Sequence, residues 1–270
     1  MNRGKLNVGG VVCLLLLAVL AASGGPPAVA GKKKKNKSPK AAMMKLYDPA
    51  PTPGDKWIYW VTLRVWGIEN VTGSAYAEGF DSLQVSGPFT RGDLTDVYKL
   101  YSGGFYQEFF IVKKGLARTL ESRDDISLWV YDKPVRFKKK MRFGRTCTRK
   151  IVGRFTDLEG EVDDAAVVME EALTAAIGGP WTGEHLSFDD TITIHNEYYQ
   201  RSDDRTLIWH GEQVDRFARG VGLVEKVDEW VFEDRIYGLF GTYKIGYERT
   251  WELAYARVGG VEYGDPDVDD

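Results

Sequence analysis

Cysteine and histidine are scarce in this chain, which carries two of the first and three of the second in 270 residues. Cys13 lies in a segment read below as removed on export, leaving Cys147 as the sole thiol. One thiol makes no internal disulfide, so a buried apolar core must supply the stability. Arg145, Arg149 and Lys150 stand near Cys147, a setting that lowers a thiol pKa and favours reactivity. The plainer alternative is a small residue half-buried in a strand. The serines lie in no nucleophile elbow, and no phosphate-binding loop or dinucleotide fingerprint occurs. Gly178-Gly179-Pro180-Trp181-Thr182-Gly183 ends in no lysine and opens no helix, so it reads as a loop. No repeat of constant period is present, which argues against a propeller or solenoid. No catalytic constellation emerges, and the expectation is a protein that is not an enzyme and needs no cofactor. Chemistry by carboxylates alone, as in glycoside hydrolysis, stays open because aspartate and glutamate are plentiful.

A long apolar run occurs once, at the N-terminus. Arg3 and Lys5 precede the apolar stretch Val8 to Leu20, and Ala28-Val29-Ala30 before Gly31 is a small-residue cleavage site. That order is a secretory signal peptide, too short and wrongly flanked for a membrane span. A lipid anchor at Cys13 is excluded, because Gly10-Val11-Val12 precede it and the apolar run follows it.

Charge is uneven. The net charge is −3, yet Lys32, Lys33, Lys34 and Lys35, with Lys37 and Lys40, form a basic arm, and Gly264 to Asp270 form an acidic tail. Neither end holds enough apolar residues to offset its chain entropy. The expected organisation is a signal peptide at 1–30, a basic disordered linker at 31–46, one β-rich domain at 47–258 and an acidic disordered tail at 259–270. The lysines suit either an anionic envelope surface or a plain solvated linker. Nucleic acid is disfavoured, since the folded part is acidic and exported.

The body reads as strand after strand. Trp57 to Trp66 is aromatic and β-branched without Gly or Pro, and Asn70 to Gly73 turns the chain. Val97 to Tyr101 and Phe105 to Val112 flank Ser102-Gly103-Gly104. Leu116 to Leu120, Ile126 to Tyr131, Thr191 to Gln200, Thr206 to Val214, Leu223 to Phe232 and Tyr243 to Ala256 continue the series. Short gaps mean antiparallel neighbours. One segment differs. Asp164 to Ile177 is alanine-rich, opens on Asp163-Asp164 and stops at Gly178-Gly179-Pro180, which predicts a buried helix. The expected fold is therefore mainly β: a curved antiparallel sheet or open half-barrel with one or a few helices in or over its concave face.

Two sites are conceivable on such a sheet. Trp57, Tyr59, Trp129, Trp209 and Trp230 could wall a binding face for an apolar or lipid-like ligand, or be ordinary core. A hairpin across Ser202-Asp203-Asp204-Arg205 would place Glu197 opposite His210 and His195 opposite Glu212. Those four residues would share a face and could hold zinc or a similar ion. The opposite face carries Ile192, Ile194, Tyr198, Leu207 and Trp209, so the alternative is a solvated face with cross-strand charge pairs. The acidic stretch Asp157 to Asp164 does not match a calcium loop, and Asn70-Val71-Thr72 is a glycosylation sequon that matters only in a eukaryote.

Pro53-Gly54-Asp55-Lys56-Trp57-Ile58-Tyr59 resembles the Gly-x-x-Trp-x-Tyr opening of a group of exported bacterial β-proteins of unknown function. Arg216-Phe217-Ala218-Arg219-Gly220-Val221-Gly222-Leu223-Val224 is similar to their closing motif, aromatic-Ala-x-Gly-Val-Gly-Leu-Val. The resemblance implies export and a half-barrel akin to the lipoprotein-localisation-factor fold, and it transfers no catalytic residue. The helical segment at 164–177 and Gly144-Arg145-Thr146-Cys147 depart from that pattern. Gly220 and Gly222 suit a bulge or tight bend that needs φ > 0 or close backbone approach. Three functional readings follow: a non-catalytic envelope module that binds an apolar ligand, a structural or interaction protein of the envelope, and a metal-dependent hydrolase. N-terminal sequencing of the exported protein should begin at Gly31; a full-length cytoplasmic product would refute the export reading.

Overall fold

In the computed structural model the described residues are 41–48, 50–66, 75–91, 94–101, 106–112, 115–122, 127–136, 140–157, 162–202, 207–234 and 243–269. The signal peptide, the lysine arm, the turn at 70–73 with its sequon, and the loops 102–104 and 203–205 lie outside them. The elements are β1 (Ala41–Met43), a 3₁₀ turn (Met44–Leu46), β2 (Lys56–Trp66), β3 (Ala75–Arg91), β4 (Leu94–Tyr101), β5 (Tyr106–Val112), β6 (Gly115–Ser122) and β7 (Ser127–Arg136). There follow β8 (Lys140–Arg142), β9 (Thr146–Asp157), β10 (Val162–Thr182), β11 (Ser187–Ser202), β12 (Leu207–Ala218), β13 (Gly222–Asp234), β14 (Tyr243–Val258) and β15 (Val261–Gly264).

The mainly-β, curved antiparallel sheet expected from the strand pattern is what forms. Thirteen strands join one sheet in the order β13-β12-β11-β10-β9-β7-β6-β5-β4-β3-β2-β14-β15. Every pairing between these strands is antiparallel among the described residues, and most join neighbours in sequence, as short connections require. Two pairings do not: β7 bonds β9 past β8, and β2 bonds β14. β14 bonds β2 along one edge, from Gly246 opposite Trp66 to Arg257 opposite Lys56. Along its other edge it bonds β13, from Glu225 opposite Glu252 to Asp234 opposite Tyr243. Following neighbours from β2 through β13 therefore leads back to β2 by way of β14.

The expected helix at 164–177 is a strand, and among the described residues the 3₁₀ turn is the sole helical element. β10 pairs with β9 through Ala166–Thr174 and with β11 through Val167–Ile177. From Met169 onward its burial alternates: Met169, Glu171 and Ala175 are buried, while Glu170 and Ala176 are exposed. Alanine's helix preference is worth only a few tenths of a kcal/mol per residue over most alternatives. A helix here would instead strip β9 and β11 of a whole ladder each, and buried backbone groups must be paired. The apparent helix stop is a bulge. Register shifts fall between Ile177 and Gly179 and between Gly179 and Trp181, Gly179 takes φ +71, and the bend sends Trp181 into the core.

Order also extends past both expected disordered ends. β1 pairs with β8, and buried Met44 packs with Met141, Ala175, Ile192 and Ile194. Residues 41–46 thus belong to the fold because they carry the apolar surface that the lysine arm lacks. At the other end β15 pairs with β14 around Gly259-Gly260, so 261–264 are strand and not tail.

The largest core cluster sits where the two motifs meet. Trp57 and Tyr59 of the opening motif lie with Val221 and Val224 of the closing motif, beside Trp251, Leu253 and Ala256. The Trp57 indole N–H donates to the Val221 carbonyl at 2.9 Å, and the Tyr59 hydroxyl donates to the Leu223 carbonyl at 3.0 Å. Burial pushes the Tyr59 phenol pKa well above its ordinary value, so the group stays a donor. Gly220 and Gly222 have φ +80 and +106, which presents the intervening carbonyl to the indole. The Gly220 N–H donates to Leu46 at 2.7 Å. Buried Asp55 accepts from the Thr52 N–H at 2.7 Å, the Thr52 hydroxyl at 3.0 Å and the Gly259 N–H at 2.8 Å. The β12–β13 bend, the β14–β15 hairpin and the start of β2 are thereby tied at one place.

Trp57→Phe keeps most of the apolar bulk and leaves the Val221 carbonyl without its donor. An orphaned buried acceptor costs about 1–3 kcal/mol, so the urea midpoint should fall with the m-value unchanged; an unaltered midpoint would show the bond to be idle.

Candidate functional site

Strand register places a band of polar side chains on the core face of β9–β14. One level runs Arg149, Glu171, Tyr198, Gly211, Trp230, Tyr247 across six strands. The next runs Leu173, Asn196, Gln213, Asp228, Arg249. On the other side lie Met169, Gln200, Trp209, Phe232. Residues paired across an antiparallel ladder share a face, so these groups line one surface together with the buried aliphatics.

The polar groups are largely bonded to one another. Arg149 pairs with buried Glu171, and the Asn196 side-chain amide donates to the same carboxylate at 3.4 Å. The Tyr198 hydroxyl donates to Asp228 at 3.2 Å, and the Lys226 ammonium lies 3.7 Å from that carboxylate. Gln213 donates to Asp215 at 2.6 Å. Arg149, Lys226 and Arg249 equal Glu171, Asp215 and Asp228 in charge, so the band is neutral. Two buried carbonyl oxygens have no partner: Asn196 Oδ1 and Gln200 Oε1. Water reaches the band even so, because the side chains of Arg149, Lys226 and Asp228 keep exposures of 24%, 23% and 15%.

The aromatic residues singled out by sequence do not form one wall. Trp57 and Tyr59 are core, each held by a hydrogen bond to the closing motif. Trp129 is in β7 opposite Phe155, and its side chain lies outside the description. Trp209 and Trp230 do belong to the polar band and are half-buried. Trp230 stacks on Tyr247 with centroids 4.0 Å apart, and Trp209 tilts against Phe232 at 5.0 Å. A Cβ on Gly211 would collide with the Glu229 carbonyl and with the Cα and Cβ of Trp230, so glycine is what lets β12 and β13 approach closely there.

His195, Glu197, His210 and Glu212 share the opposite face, but the register differs by two residues from the expected hairpin. His195 faces Val214, Glu197 faces Glu212, and Tyr199 faces His210. The set is drawn out along the strands; His195 Nε2 reaches Glu212 at 3.3 Å, while His210 stands opposite Tyr199 and Val231. Among the described residues no group of His, Cys, Asp and Glu is arranged to hold a metal ion. What this face carries instead is a row of carboxylates, Glu197, Glu212, Glu229 and Glu248, directly opposite one another across β11–β14. Cys147 is half-buried, and its thiol lies 3.7 Å from the Thr148 carbonyl.

Sequence reasoning missed Glu171, Asn196, Gln200, Gln213 and Asp228. The signal for Asn196 and Gln200 was there: they alternate with Ile192, Ile194 and Tyr198 on the core face of one strand. Glu171 was hidden by the helical reading of β10. Comparison with family models, curated proteins and solved structures finds no match to this chain.

Like charges directly opposite on a sheet are destabilising, and Glu229 has one on each side. Glu229→Gln should raise the thermal midpoint, with a gain that shrinks as salt screens the row. A midpoint that stays put or falls at low salt would mean that the row carries no net repulsion.

Proposed function

We propose that this chain is an exported, non-catalytic β-module of the bacterial cell envelope, periplasmic or secreted, that binds a ligand with apolar surface on the core face of β9–β14. One observation carries the reading: side chains that register assigns to the core face, Arg149, Lys226 and Asp228 among them, still meet solvent beside half-buried Trp209 and Trp230. A core filled by its own side chains would exclude water from such charges, because leaving them partly wet is the cheaper state only where space is open. Aromatic side chains beside a few placed polar groups are the usual composition of small-molecule sites.

Export rests on the N-terminal segment and its small-residue cleavage site. The kinship with exported β-proteins of Gly-x-x-Trp-x-Tyr type is supported by the direct bonding of the opening motif to the closing one. A catalytic reading lacks a comparable anchor, since the histidines at 195 and 210 stand on the solvated face. The lysine arm at 32–35 would add attraction to an anionic envelope surface.

A neutral naphthylamine dye should bind the purified protein saturably with enhanced fluorescence. Trp230→Ala should weaken it roughly tenfold, the order expected for losing a central aromatic contact. Absence of saturable binding, or equal affinity in the variant, would remove this reading.

A further inference from the structure

One end of the core face is roofed by a short segment of the chain's own. The 3₁₀ turn that follows β1 lies over β10 and β11, where Met44, with Met141 of β8, packs on Ala175, Ile192 and Ile194. Ala175 and Ile194 stand two residues along their strands from Leu173 and Asn196 of the polar band, so the roofed patch and the band belong to one surface. With the roof in place Ala175 is 0% and Ile192 1% exposed; a ligand reaches them only if the roof moves. Phe143, Leu173 and Phe217 pack around the patch and are only half-buried, so apolar surface meets water at the rim.

The roof is tied firmly at one end and lightly at the other. The Gly220 N–H donates to the Leu46 carbonyl at 2.7 Å, and the Tyr47 hydroxyl donates to Asp190 at 2.8 Å. Upstream, β1 is three residues long and pairs only with β8, also of three, in a two-stranded sheet of their own, whereas β11 runs sixteen. Lys45 and Leu46 are exposed, so Met44 is the side chain by which the turn grips the patch. Short elements that bury little open at a lower free energy than the domain as a whole. Methionine also suits a seat that is vacated and refilled. Its unbranched, flexible thioether adapts to irregular apolar surface, and its outline is that of a short piece of straight alkyl chain.

We infer that residues 41–44 are a strap hinged at Leu46 and Tyr47, and that a straight alkyl chain enters the core face by displacing Met44 from Ala175, Ile192 and Ile194. This rests on the reading of that face as a binding surface; it names the ligand class and the gate. The exchange is apolar for apolar, so the patch stays covered whether the strap or the ligand lies on it. A ligand gated in this way binds with an affinity reduced by the fraction of molecules whose strap is open. Fixing the strap therefore weakens binding, and loosening it strengthens binding.

A reversible lock tests this. Met43 and Lys140 are Cα partners across β1 and β8, and such partners lie about 4.5–5.5 Å apart, within reach of a disulfide. β8 is held in turn through the neighbouring Gly144, whose N–H donates to the Ala175 carbonyl at 2.9 Å. The whole protein carrying Met43→Cys and Lys140→Cys with Cys147→Ser is titrated with the neutral naphthylamine dye, oxidised and then reduced, with dodecanol as the competing alkyl chain. Dodecanol should displace the dye, and both affinities should fall at least tenfold on oxidation and return on reduction. Met44→Ala, which empties the seat, should strengthen both at least tenfold; if that variant fails to fold, the lock, which keeps Met44, decides alone. Dye that dodecanol does not displace, or that binds equally with the lock closed and open, would overturn the strap and leave the binding face intact. Binding of neither probe in any variant, open or closed, would overturn both.

Discussion

The hydrogen bond from the Trp57 indole to the Val221 carbonyl joins strands that are not neighbours. β14 lies between β2 and β13 in the sheet, so a bond from the opening motif to the closing one spans it on the core side. The bond requires a buried indole, a carbonyl turned towards it by positive-φ glycines, and a β14 that brings a small residue to the crossing. Ala256, opposite Trp57, is fully buried there. A larger side chain at that point would push the two motifs apart. Asp55 extends the same junction to the β14–β15 hairpin, and Leu46 extends it to the segment before β2. The alternating pairings of the sheet are uniform; this junction is where they are given a fixed end.

Away from the junction the core changes character. Apolar side chains dominate around Trp57 and Trp251, whereas the band through Glu171, Asn196 and Asp228 is polar and internally bonded. Buried polar groups are tolerated when they satisfy one another and costly when they do not. The band meets that condition where Arg149 pairs with Glu171 and Lys226 with Asp228, and falls short at the amide oxygens of Asn196 and Gln200. A fold under selection for stability alone would place aliphatic residues at 196 and 200, as it does at 192 and 194 on the same strand.

Much of the strand order was legible because β2, β4–β7 and β11–β14 are aromatic or β-branched runs between turn residues. β3 and β9 were harder to see: Gly79 and Gly87-Pro88 interrupt the first, and Arg149, Lys150 and Arg154 dilute the second. β10 was misread for a physical reason. Alanine in a flanked strand contributes little side-chain packing, and its intrinsic helix preference is visible locally, while the two ladders that outweigh it are distant in sequence. The same limit applies to the site. Face alternation in β11 was readable from its own residues, so the solvated position of His195 and Glu197 could be argued in advance. The alignment of Asn196 with Gln213 and Asp228 depended on loop lengths, which set the register and leave no mark on periodicity. The bond between the two motifs could not be read at all, since nothing local relates Trp57 to Val221.

The ring of pairings has a consequence in time. Thr62 and Thr250, bonded across β2 and β14, are 188 residues apart. A chain made from its N-terminus forward finishes β2 long before β14 exists, and β2 then has only one neighbour to pair with. Its free edge is aromatic and β-branched, the composition most prone to recruit a stray strand. Closing so long a loop delays folding through its entropy. Assembly is therefore a race between the last long strand and any other strand that meets the first.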